Sequence, residues 1–403
     1  MPSVLEPPQR LTENDASCTT SGTSTPNAGT ARSSGSHKSA RADVQPALRV
    51  GLLGCGRLGS EVMLPLLAGR PDVRVTVVAD PDEAARARAH ARAPEAVLDA
   101  DWRTALAHPD LDAVVVTLPT ALHGAAALAG IARGVAMYLE KPLASTLDEA
   151  TAVREAWRAT ALTVAVGFNS RFHPLLLRMR QHLRDGRIGE PRVMRCSFTV
   201  AARHEGSWRH HAADGGGVLR DLASHHVDLA RYLLERDIVR VSATRVTPAD
   251  GGETIAAIGE IDGGVVLSAT WASGAVDDDV VEVVGTEGAI RLSRYEDLTL
   301  THRGRSVPGA AARLVRAVPT LGALGFGLAK RRAPWHDPSF EAALDNFVRA
   351  ARAKAPVVPG VDEGWQSVRV SSAIAEAART GHTIELDSLP GSFLDPRTHD
   401  VLR

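Results

Sequence analysis

The stretch Leu48-Arg-Val-Gly-Leu-Leu-Gly-Cys-Gly-Arg-Leu-Gly59 decides the fold. A short apolar run is followed by G-x-G-x-x-G and then by an Ala/Leu-rich helical pattern, the order that builds a strand, a tight loop and a helix. Glycine permits the turn at position 54, close approach of the backbone to a pyrophosphate at 56, and helix-strand packing at 59. Free amides at the start of the helix then face the anion. The sequence therefore predicts a dinucleotide loop made of Gly54, Cys55, Gly56, Arg57, Leu58 and Gly59.

Asp80 follows the next predicted strand at the spacing expected for an acid that binds ribose. A carboxylate accepts a hydrogen bond from a ribose 2'-hydroxyl but repels a 2'-phosphate, which favours NAD over NADP. Two alternatives remain open. Asp80 could simply cap the helix that begins near residues 81–83, and Arg57 or Arg86 could meet the phosphate of NADP.

Short β-branched runs alternate with longer Ala-rich segments through the first part of the chain, a pattern typical of a parallel sheet with crossover helices. It predicts a doubly wound, Rossmann-type α/β domain. The predicted strands are Arg49–Leu53, Val73–Ala79, Ala113–Thr117, Val135–Leu139 and Leu162–Val166. The predicted helices are Gly59–Ala68, Glu83–Arg92, Trp102–Ala107, Leu122–Arg133 and Leu147–Ala159.

After Gly167 the pattern changes to helices mixed with a run of strands joined by short turns, which implies antiparallel pairing. We expect an α+β domain with a mostly antiparallel sheet. Its predicted strands are Val193–Val200, Val239–Val246, Ile255–Ile261, Val265–Trp271, Val280–Val284 and Ala289–Leu292. Its predicted helices are Pro174–Asp185, Val218–Leu234, 338–354 and 361–380.

The domain organisation follows from these patterns and from composition. We expect a disordered extension over 1–46, the dinucleotide domain over 47–167, the α+β domain over 168–387 and a tail over 388–403. Within the second domain, 303–335 is predicted to be a basic loop insertion, and the helices of 338–380 partly return towards the first domain.

Bulk composition excludes several classes of protein. The 403 residues are 44% hydrophobic and 23% charged, with a net charge of -1, as in ordinary globular enzymes. We therefore expect no attraction to nucleic acid and, without a long apolar run, no membrane span. Three scattered cysteines and no secretion signal favour a reducing, cytoplasmic location.

Candidate acid/base groups come from both halves of the chain. Lys141, in Glu140-Lys141-Pro142, lies at the carboxyl end of a predicted strand, where open α/β sheets bind ligands. Asp221, His225 and Asp228 have the i, i+4, i+7 spacing of one helical face. Two flanking carboxylates are expected to stabilise the imidazolium of His225. The surrounding histidines lack a metal-binding spacing, so we predict no metal site.

These motifs, in this order, resemble the glucose-fructose oxidoreductase and inositol dehydrogenase family (Gfo/Idh/MocA) over about residues 48–386. The most specific signature is G-G-G-x-x-x-D-x-x-x-H, carried by Asp221 and His225, and Glu140-Lys141-Pro142 matches the family's E-K-P, whose proline is commonly cis. Further matches are Thr117-Leu118-Pro119 with Leu122-His123, and Phe168-Asn169-x-Arg171-Phe172. Small departures are Thr120, where Asn is common, and Ala223, where Gly is frequent.

The resemblance implies a Rossmann domain followed by a large open, mostly antiparallel sheet that builds homodimers or homotetramers. It implies that Lys141, Asp221 and His225 manage the proton, with His225 or Lys141 as the immediate base. It implies cofactor contacts from Thr117, Leu118, Pro119, His123, Glu140, Lys141 and Asn169. The implied substrate contacts are Lys141, Asn169, Arg171, Trp208, Asp221, His225, His226 and Asp228.

The expected activity is therefore hydride transfer between a nicotinamide and a secondary alcohol or ketone of a sugar, cyclitol or related polyol. Two alternatives remain open: an NAD-dependent glycoside hydrolase of the same family, and a catalytically silent dinucleotide sensor.

Overall fold

The computed structural model describes residues 46–201, 217–248, 252–295, 299–304 and 337–387. Residues 1–45 of the predicted extension, the predicted tail 388–403, Trp208 and nearly all of the predicted 303–335 insertion lie outside these residues. Arg303 and Gly304, the first part of that insertion, instead end a strand.

The first sheet has six parallel strands in the order β3-β2-β1-β4-β5-β6, which is the doubly wound order. The chain reverses its direction of winding between β1 and β4, and this point opens a crevice at the carboxyl ends of the strands. The predicted α/β class is confirmed. The strands are β1 Leu48–Leu53, β2 Val73–Ala79, β3 Val97–Asp99, β4 Ala113–Val116, β5 Ala136–Leu139 and β6 Val164–Val166.

Helices cover both faces of this sheet, as its buried, β-branched strands require. The first begins as a π-helical turn, Gly59–Met63, before it continues as an α-helix. A 3-10 turn, Thr120–Leu122, precedes the fourth. The α-helices are α1 Leu64–Ala68, α2 Glu83–His90, α3 Trp102–Leu106, α4 His123–Arg133 and α5 Leu147–Arg158.

Strand β3 of this sheet was not predicted from the sequence. Strand β3 has only three residues and pairs with β2 at the edge of the sheet. Its Val97 and Leu98 are 49% and 38% exposed, so the segment has neither the length nor the buried apolar run that marks the other strands.

The second sheet has eight strands in the order β13-β12-β11-β7-β10-β9-β8-β14, antiparallel except for the parallel pair β7 and β10. The predicted mostly antiparallel sheet is confirmed. Two short strands, β13 and β14, were not predicted. The strands are β7 Pro191–Val200, β8 Ile238–Val246, β9 Glu253–Ile261, β10 Val265–Ser273, β11 Asp278–Gly285, β12 Gly288–Ser293, β13 Thr301–Gly304 and β14 Ile384–Glu385.

Helices on one face of the second sheet bury a separate apolar core. A 3-10 turn, Asn169–Phe172, precedes α6, and a π-helical turn, Leu219–Ala223, precedes α7. None of the helices in the described ranges has the length and apolarity needed to cross a bilayer. The helices that follow β6 are α6 Pro174–Arg184, α7 Ser224–Leu234, α8 Pro338–Ala353 and α9 Val361–Thr380.

The last two helices connect the two sheets. Helix α8 packs on the first sheet, where the ring of Phe347 meets Tyr138 edge-on at 5.9 Å. Helix α9 contributes Val368 to a core of the first sheet and Ile374 to the core of the second. The carboxyl edge of the first sheet is thus held against α7.

We predict that Phe347→Ala destabilises the protein by about 3–5 kcal/mol, because it removes a fully buried ring and leaves a cavity between α8 and the first sheet. Urea unfolding followed by circular dichroism measures this. Leu177→Ala, on α6 and 42% exposed, is the control and should change stability by less than about 1 kcal/mol. Equal effects of the two substitutions would contradict the described packing.

Candidate active site

A cleft of about 580 Å³ runs along the carboxyl ends of β1 to β5. Residues from the second part of the chain, Arg220 and Asp221, close one side of it. Its walls include these residues of the predicted sites: Gly54, Gly56, Arg57, Leu58, Asp80, Thr117, Leu118, Pro119, His123, Glu140, Lys141 and Asp221. Trp102 and Arg103, which were not predicted, complete the wall beyond Asp80.

The glycine loop has the space that a pyrophosphate needs. Gly54 has a φ of +98°, and a Cβ atom there would lie 2.7 Å from the carbonyl oxygen of Thr117. A Cβ on Gly59 would lie 2.1 Å from the carbonyl oxygen of Gly54. On Gly56 it would meet no protein atom within 4 Å. The first and third glycines therefore serve packing, whereas the second leaves open the space where a ligand approaches the backbone, so the loop fits a dinucleotide.

Asp80 fixes the position of this loop from the end of β2. Its Oδ2 accepts a hydrogen bond from the Cys55 amide at 2.7 Å, and its Oδ1 accepts one from the Asp82 amide at 2.9 Å. The N-cap of α2 is Asp82, which accepts from the Ala84 amide. The alternative interpretation of Asp80 as a helix cap is therefore wrong, and its carboxylate lies on the cleft wall.

The two arginines considered for a 2'-phosphate have partners within the protein. Arg86 donates through Nη1 to the main-chain oxygens of Asp80 and Pro81. Arg57, which lines the cleft, forms an exposed ion pair with Glu61 at 3.5 Å. Arg86 is thus occupied in holding the Asp80 turn.

Cys55 belongs to the loop but not to its chemistry. Its side chain is buried, and burial, with a smaller contribution from nearby Asp80, raises the pKa of the thiol to about 12. The thiol stays protonated and acts as a small apolar group behind the loop.

His123 joins two loops at the middle of the cleft. Its Nδ1 lies 2.6 Å from the carbonyl oxygen of Pro142, and its Nε2 lies 2.9 Å from that of Leu118. Burial lowers the pKa of His123, while the two carbonyl groups act in the opposite direction. The imidazole is enclosed by these contacts, so it positions the loop of Leu118 and the loop of Lys141 relative to each other.

Lys141 meets Asp221 where the two parts of the chain converge. The Lys141–Pro142 peptide bond is cis. The Lys141 Nζ donates to the main-chain oxygen of Asp221 at 2.6 Å and contacts its Oδ1 at 3.2 Å. Both side chains are mostly buried, with 12% and 22% exposed. An ammonium group from the first sheet and a carboxylate from the second part of the chain are therefore brought together.

His225 is partly exposed and close enough to Lys141 and Asp221 for their charges to act on it, although it is not among the residues that line the cleft. Burial, Lys141 and Arg294 together lower the pKa of His225 well below its usual value, against the smaller opposing effects of Asp279 and Asp221. The expectation of a stabilised imidazolium is therefore wrong. Asp228, its predicted partner, is paired elsewhere, and two cations face the ring.

Three predicted substrate contacts lie in the interior instead. Asp228 is 1% exposed, and both its oxygens accept from Arg171, at 2.8 and 2.6 Å. His226 lies 3.0 Å from Asp279 through Nε2 and accepts from the Trp271 indole through Nδ1. Since their polar atoms are used within the protein, we correct the prediction that Arg171, His226 and Asp228 line the substrate pocket.

Asn169 is also placed behind the cleft. It is 4% exposed, and its Nδ2 donates to Ser339 Oγ at 2.8 Å, which ties the turn after β6 to the start of α8. The cleft wall does not include it. Its geometry supports a structural role rather than the predicted cofactor and substrate contacts.

Sequence reasoning missed a polar cluster next to His225. Ser170 Oγ lies 3.5 Å from His225 Nδ1 and accepts from Arg294 Nη1 at 2.5 Å. Arg294 Nε lies 3.1 Å from Asp279 Oδ2. Burial acts to raise the pKa of Asp279, but Arg294 and the two histidines outweigh it and lower that pKa to about 2. Ser170 lies in the turn after β6, whereas Asp279 and Arg294 face each other across the β11–β12 hairpin, and neither Asp279 nor Arg294 lies within a motif.

Among the described residues, no cluster of three His, Cys, Asp or Glu side chains could hold a metal ion. Three of the histidines in the sequence around His225, namely His204, His210 and His211, lie outside those residues.

Two family models match the chain. A model described as an oxidoreductase family with an NAD-binding Rossmann fold matches residues 48–168, and the GFO/IDH/MocA C-terminal domain matches residues 176–291. The chain belongs to the Gfo/Idh/MocA oxidoreductase family. The resemblance inferred from the motifs is confirmed, and so is the prediction of an NAD-dependent oxidoreductase.

Similar proteins agree with this family membership. The chain is 28% identical to scyllo-inositol 2-dehydrogenase (NAD(+)) of Bacillus subtilis, over 84% of this chain and 96% of the relative. It is 31% identical to dTDP-3,4-didehydro-2,6-dideoxy-alpha-D-glucose 3-reductase of Streptomyces antibioticus, over 64% and 80%. A structure of levoglucosan dehydrogenase with NADH and levoglucosan superimposes with a TM-score of 0.70 at 26% identity, covering 84% of this chain and 99% of that one.

We predict that Gly56→Ala weakens NAD binding without affecting stability, whereas Gly59→Ala lowers the stability of the fold. The Gly56 methyl group would point into open space, so it should leave the melting temperature within about 2 °C and raise the Kd for NAD at least about tenfold. The Gly59 methyl group would collide with the main chain and should lower the melting temperature without any ligand. Thermal unfolding and calorimetric titration with NAD measure these effects. Unchanged NAD binding by folded Gly56→Ala would contradict the loop assignment.

Proposed function

We propose that this protein transfers a hydride reversibly between NAD and a secondary alcohol or ketone of a sugar, cyclitol or related polyol. The observation that supports this most directly is the contact of Lys141 with Asp221, beside His225 and at the end of the cleft that starts at the glycine loop. The relatives named above as inositol, levoglucosan and deoxysugar enzymes support the substrate class.

The cleft wall offers complementary groups to each part of a dinucleotide. The Gly54–Gly59 loop has amides and open space for the pyrophosphate, and Asp80 carries an anionic oxygen suited to a ribose 2'-hydroxyl. Thr117, Leu118 and Pro119 extend the wall towards Lys141. When bound, the nicotinamide supplies the hydride acceptor or donor. The protein's own task is to orient the carbinol carbon and to manage the proton.

Lys141 and His225 are suited to act on the substrate oxygen that gains or loses that proton. The Lys141 ammonium group has three hydrogens, and its two contacts with Asp221 leave one for a substrate oxygen. Asp221 holds the lysine in place and compensates its charge. His225, with its pKa held well below the usual value, is uncharged at neutral pH. It can therefore exchange hydrogen bonds with a substrate hydroxyl without adding a second cation.

We predict that Lys141→Ala and His225→Ala each lower kcat/KM by about 10²–10⁴, because each removes a polar group that acts on the substrate oxygen. Both should bind NAD as the wild type does, since the glycine loop and Asp80 are unchanged. NADH formation with a panel of sugars and cyclitols, together with NAD titration, tests this. Arg158→Ala, on the exposed end of α5, is the control.

Turnover that survives both active-site substitutions would reject the assignment. The two alternatives give different products. A glycoside hydrolase that recycles its cofactor would cleave an aryl glycoside without net NADH, and a silent sensor would bind NAD but convert no member of the panel.

We further propose that the protein is cytoplasmic and assembles as a homodimer or homotetramer through the face of the second sheet that its helices leave uncovered. Ile258 and Val266, on the neighbouring strands β9 and β10, are 64% and 44% exposed. Adjacent apolar side chains on an uncovered sheet favour burial against another copy.

We predict that Ile258→Glu lowers the assembly state, because burying an unpaired carboxylate at a subunit interface is unfavourable. Sedimentation velocity at several concentrations measures this, with Val276→Glu as the control, since Val276 is exposed on the loop before β11. A wild-type monomer, or an oligomer unchanged by Ile258→Glu, would contradict the proposed interface.

A further inference from the structure

Ser170 lies between a catalytic candidate and a buried cation. Its Oγ accepts a hydrogen bond from Arg294 Nη1 at 2.5 Å and lies 3.5 Å from Nδ1 of His225. Ser170 is 1% exposed, and the Arg294 side chain is 14% exposed. Ser170 belongs to the turn after β6 and Arg294 directly follows β12, so two elements distant in sequence converge on one side of the imidazole.

The donor and the acceptor in each of these hydrogen bonds follow from the chemistry of the groups. A guanidinium group only donates hydrogen bonds, so Ser170 Oγ must be the acceptor from Arg294. Its own hydroxyl hydrogen can then point to His225 Nδ1, which becomes an acceptor. In the neutral ring the remaining proton is on Nε2, and no described residue hydrogen-bonds that atom. Hydrogen bonds of catalytic groups are often long without substrate, in keeping with the 3.5 Å separation.

The arrangement of Arg294 distinguishes the adjacent histidines 225 and 226. Asp279 holds the Arg294 Nε at 3.1 Å through one oxygen and contacts His226 Nε2 at 3.0 Å through the other. His226 therefore faces a carboxylate directly, whereas His225 faces the cation that this carboxylate anchors.

The charged groups around His225 act in the same sense. Lys141, from the end of β5, and Arg294, after β12, disfavour the imidazolium, as does burial of the ring. Asp279 on β11 and Asp221 in the π-helical turn oppose them and are outweighed, so the pKa of His225 is well below its usual value.

We propose that Ser170 and Arg294 are positioning residues that keep His225 neutral, with its proton on Nε2. This proposal rests on the proposed function for its catalytic meaning. His225 then donates a hydrogen bond from Nε2 to the substrate oxygen. The reaction's proton passes between that oxygen and Lys141 Nζ, from the ammonium group during reduction and to the amine during oxidation. In this proposal Lys141, rather than His225, is the immediate base.

The state of His225 can be read directly by NMR of the full chain labelled with 15N-histidine, with His225→Gln used to identify its signals. We expect a neutral ring protonated on Nε2 at pH 7. Arg294→Gln should raise the titration midpoint of His225 by about one pH unit or more, because the imidazolium loses a repelling charge and Asp279 loses a partner. Arg294→Lys, which keeps the cation, should restore most of the shift. Ser170→Ala should leave a mixture of tautomers.

The same variants have a kinetic signature that a merely structural role would not give. The acidic limb of the kcat/KM pH profile should move to higher pH in Arg294→Gln and return towards the wild-type position in Arg294→Lys. Arg303→Gln is the control, because Arg303 pairs with Glu282 away from His225. It should change neither the limb nor the NMR signals.

A wild-type ring protonated on Nδ1, or an unshifted midpoint in folded Arg294→Gln, would overturn the proposal. The NMR readout needs no turnover. Failure of the positioning proposal is therefore distinguishable from failure of the proposed function, which would appear as an inactive wild type whose His225 signals are as expected.

Discussion

The contact of the Lys141 ammonium group with Asp221 is the interaction on which the site depends. It joins the carboxyl end of β5 to the π-helical turn before α7, so it brings chemistry from two sheets to one end of the cleft. Neither group would be stable alone at this depth, because a buried, unpaired charge costs several kcal/mol. Pairing offsets part of that cost, and the main-chain acceptor helps to orient the ammonium group. The surrounding structure holds the end of β5 and the turn before α7 at a fixed distance from each other.

An interior ion pair and a buried hydrogen bond hold these segments in place. Arg171 and Asp228 form a bidentate pair that is almost fully buried and ties the turn after β6 to α7. Burial raises the pKa of Asp228, and the contact with Arg171 acts in the opposite direction. Asn169, in the same turn, bonds Ser339 on α8. The residues behind the cleft thus orient α7, and with it Asp221 and His225, through contacts that no substrate needs to touch.

Much of the fold could be predicted from sequence because it is encoded locally. A stretch of a few residues is enough to identify the glycine loop, the β-branched strands of the first sheet and the turns of the second. Strand β3 does not, because an exposed three-residue edge strand lacks a buried run. The site divides in the same way. Lys141, Asp221 and His225 lie in motifs, whereas Asp279 in β11 and Arg294 directly after β12 lie in sequence without a motif. Helical spacing placed Asp228 beside His225 but could not show that Arg171, 57 residues earlier, already held it.

The charge of His225 could not be predicted from sequence, because it depends on residues that only folding brings near the ring. Spacing along a helix counts only neighbours on that helix, and there the neighbours of His225 are acidic. Folding adds Lys141 from one side and Arg294 from another, and burial lowers the local dielectric, which strengthens both effects. His226, one residue later, points to Asp279 and the Trp271 indole instead. Two adjacent histidines thus acquire different roles, since one completes a buried hydrogen-bond network and the other remains partly exposed as a neutral ring beside a lysine.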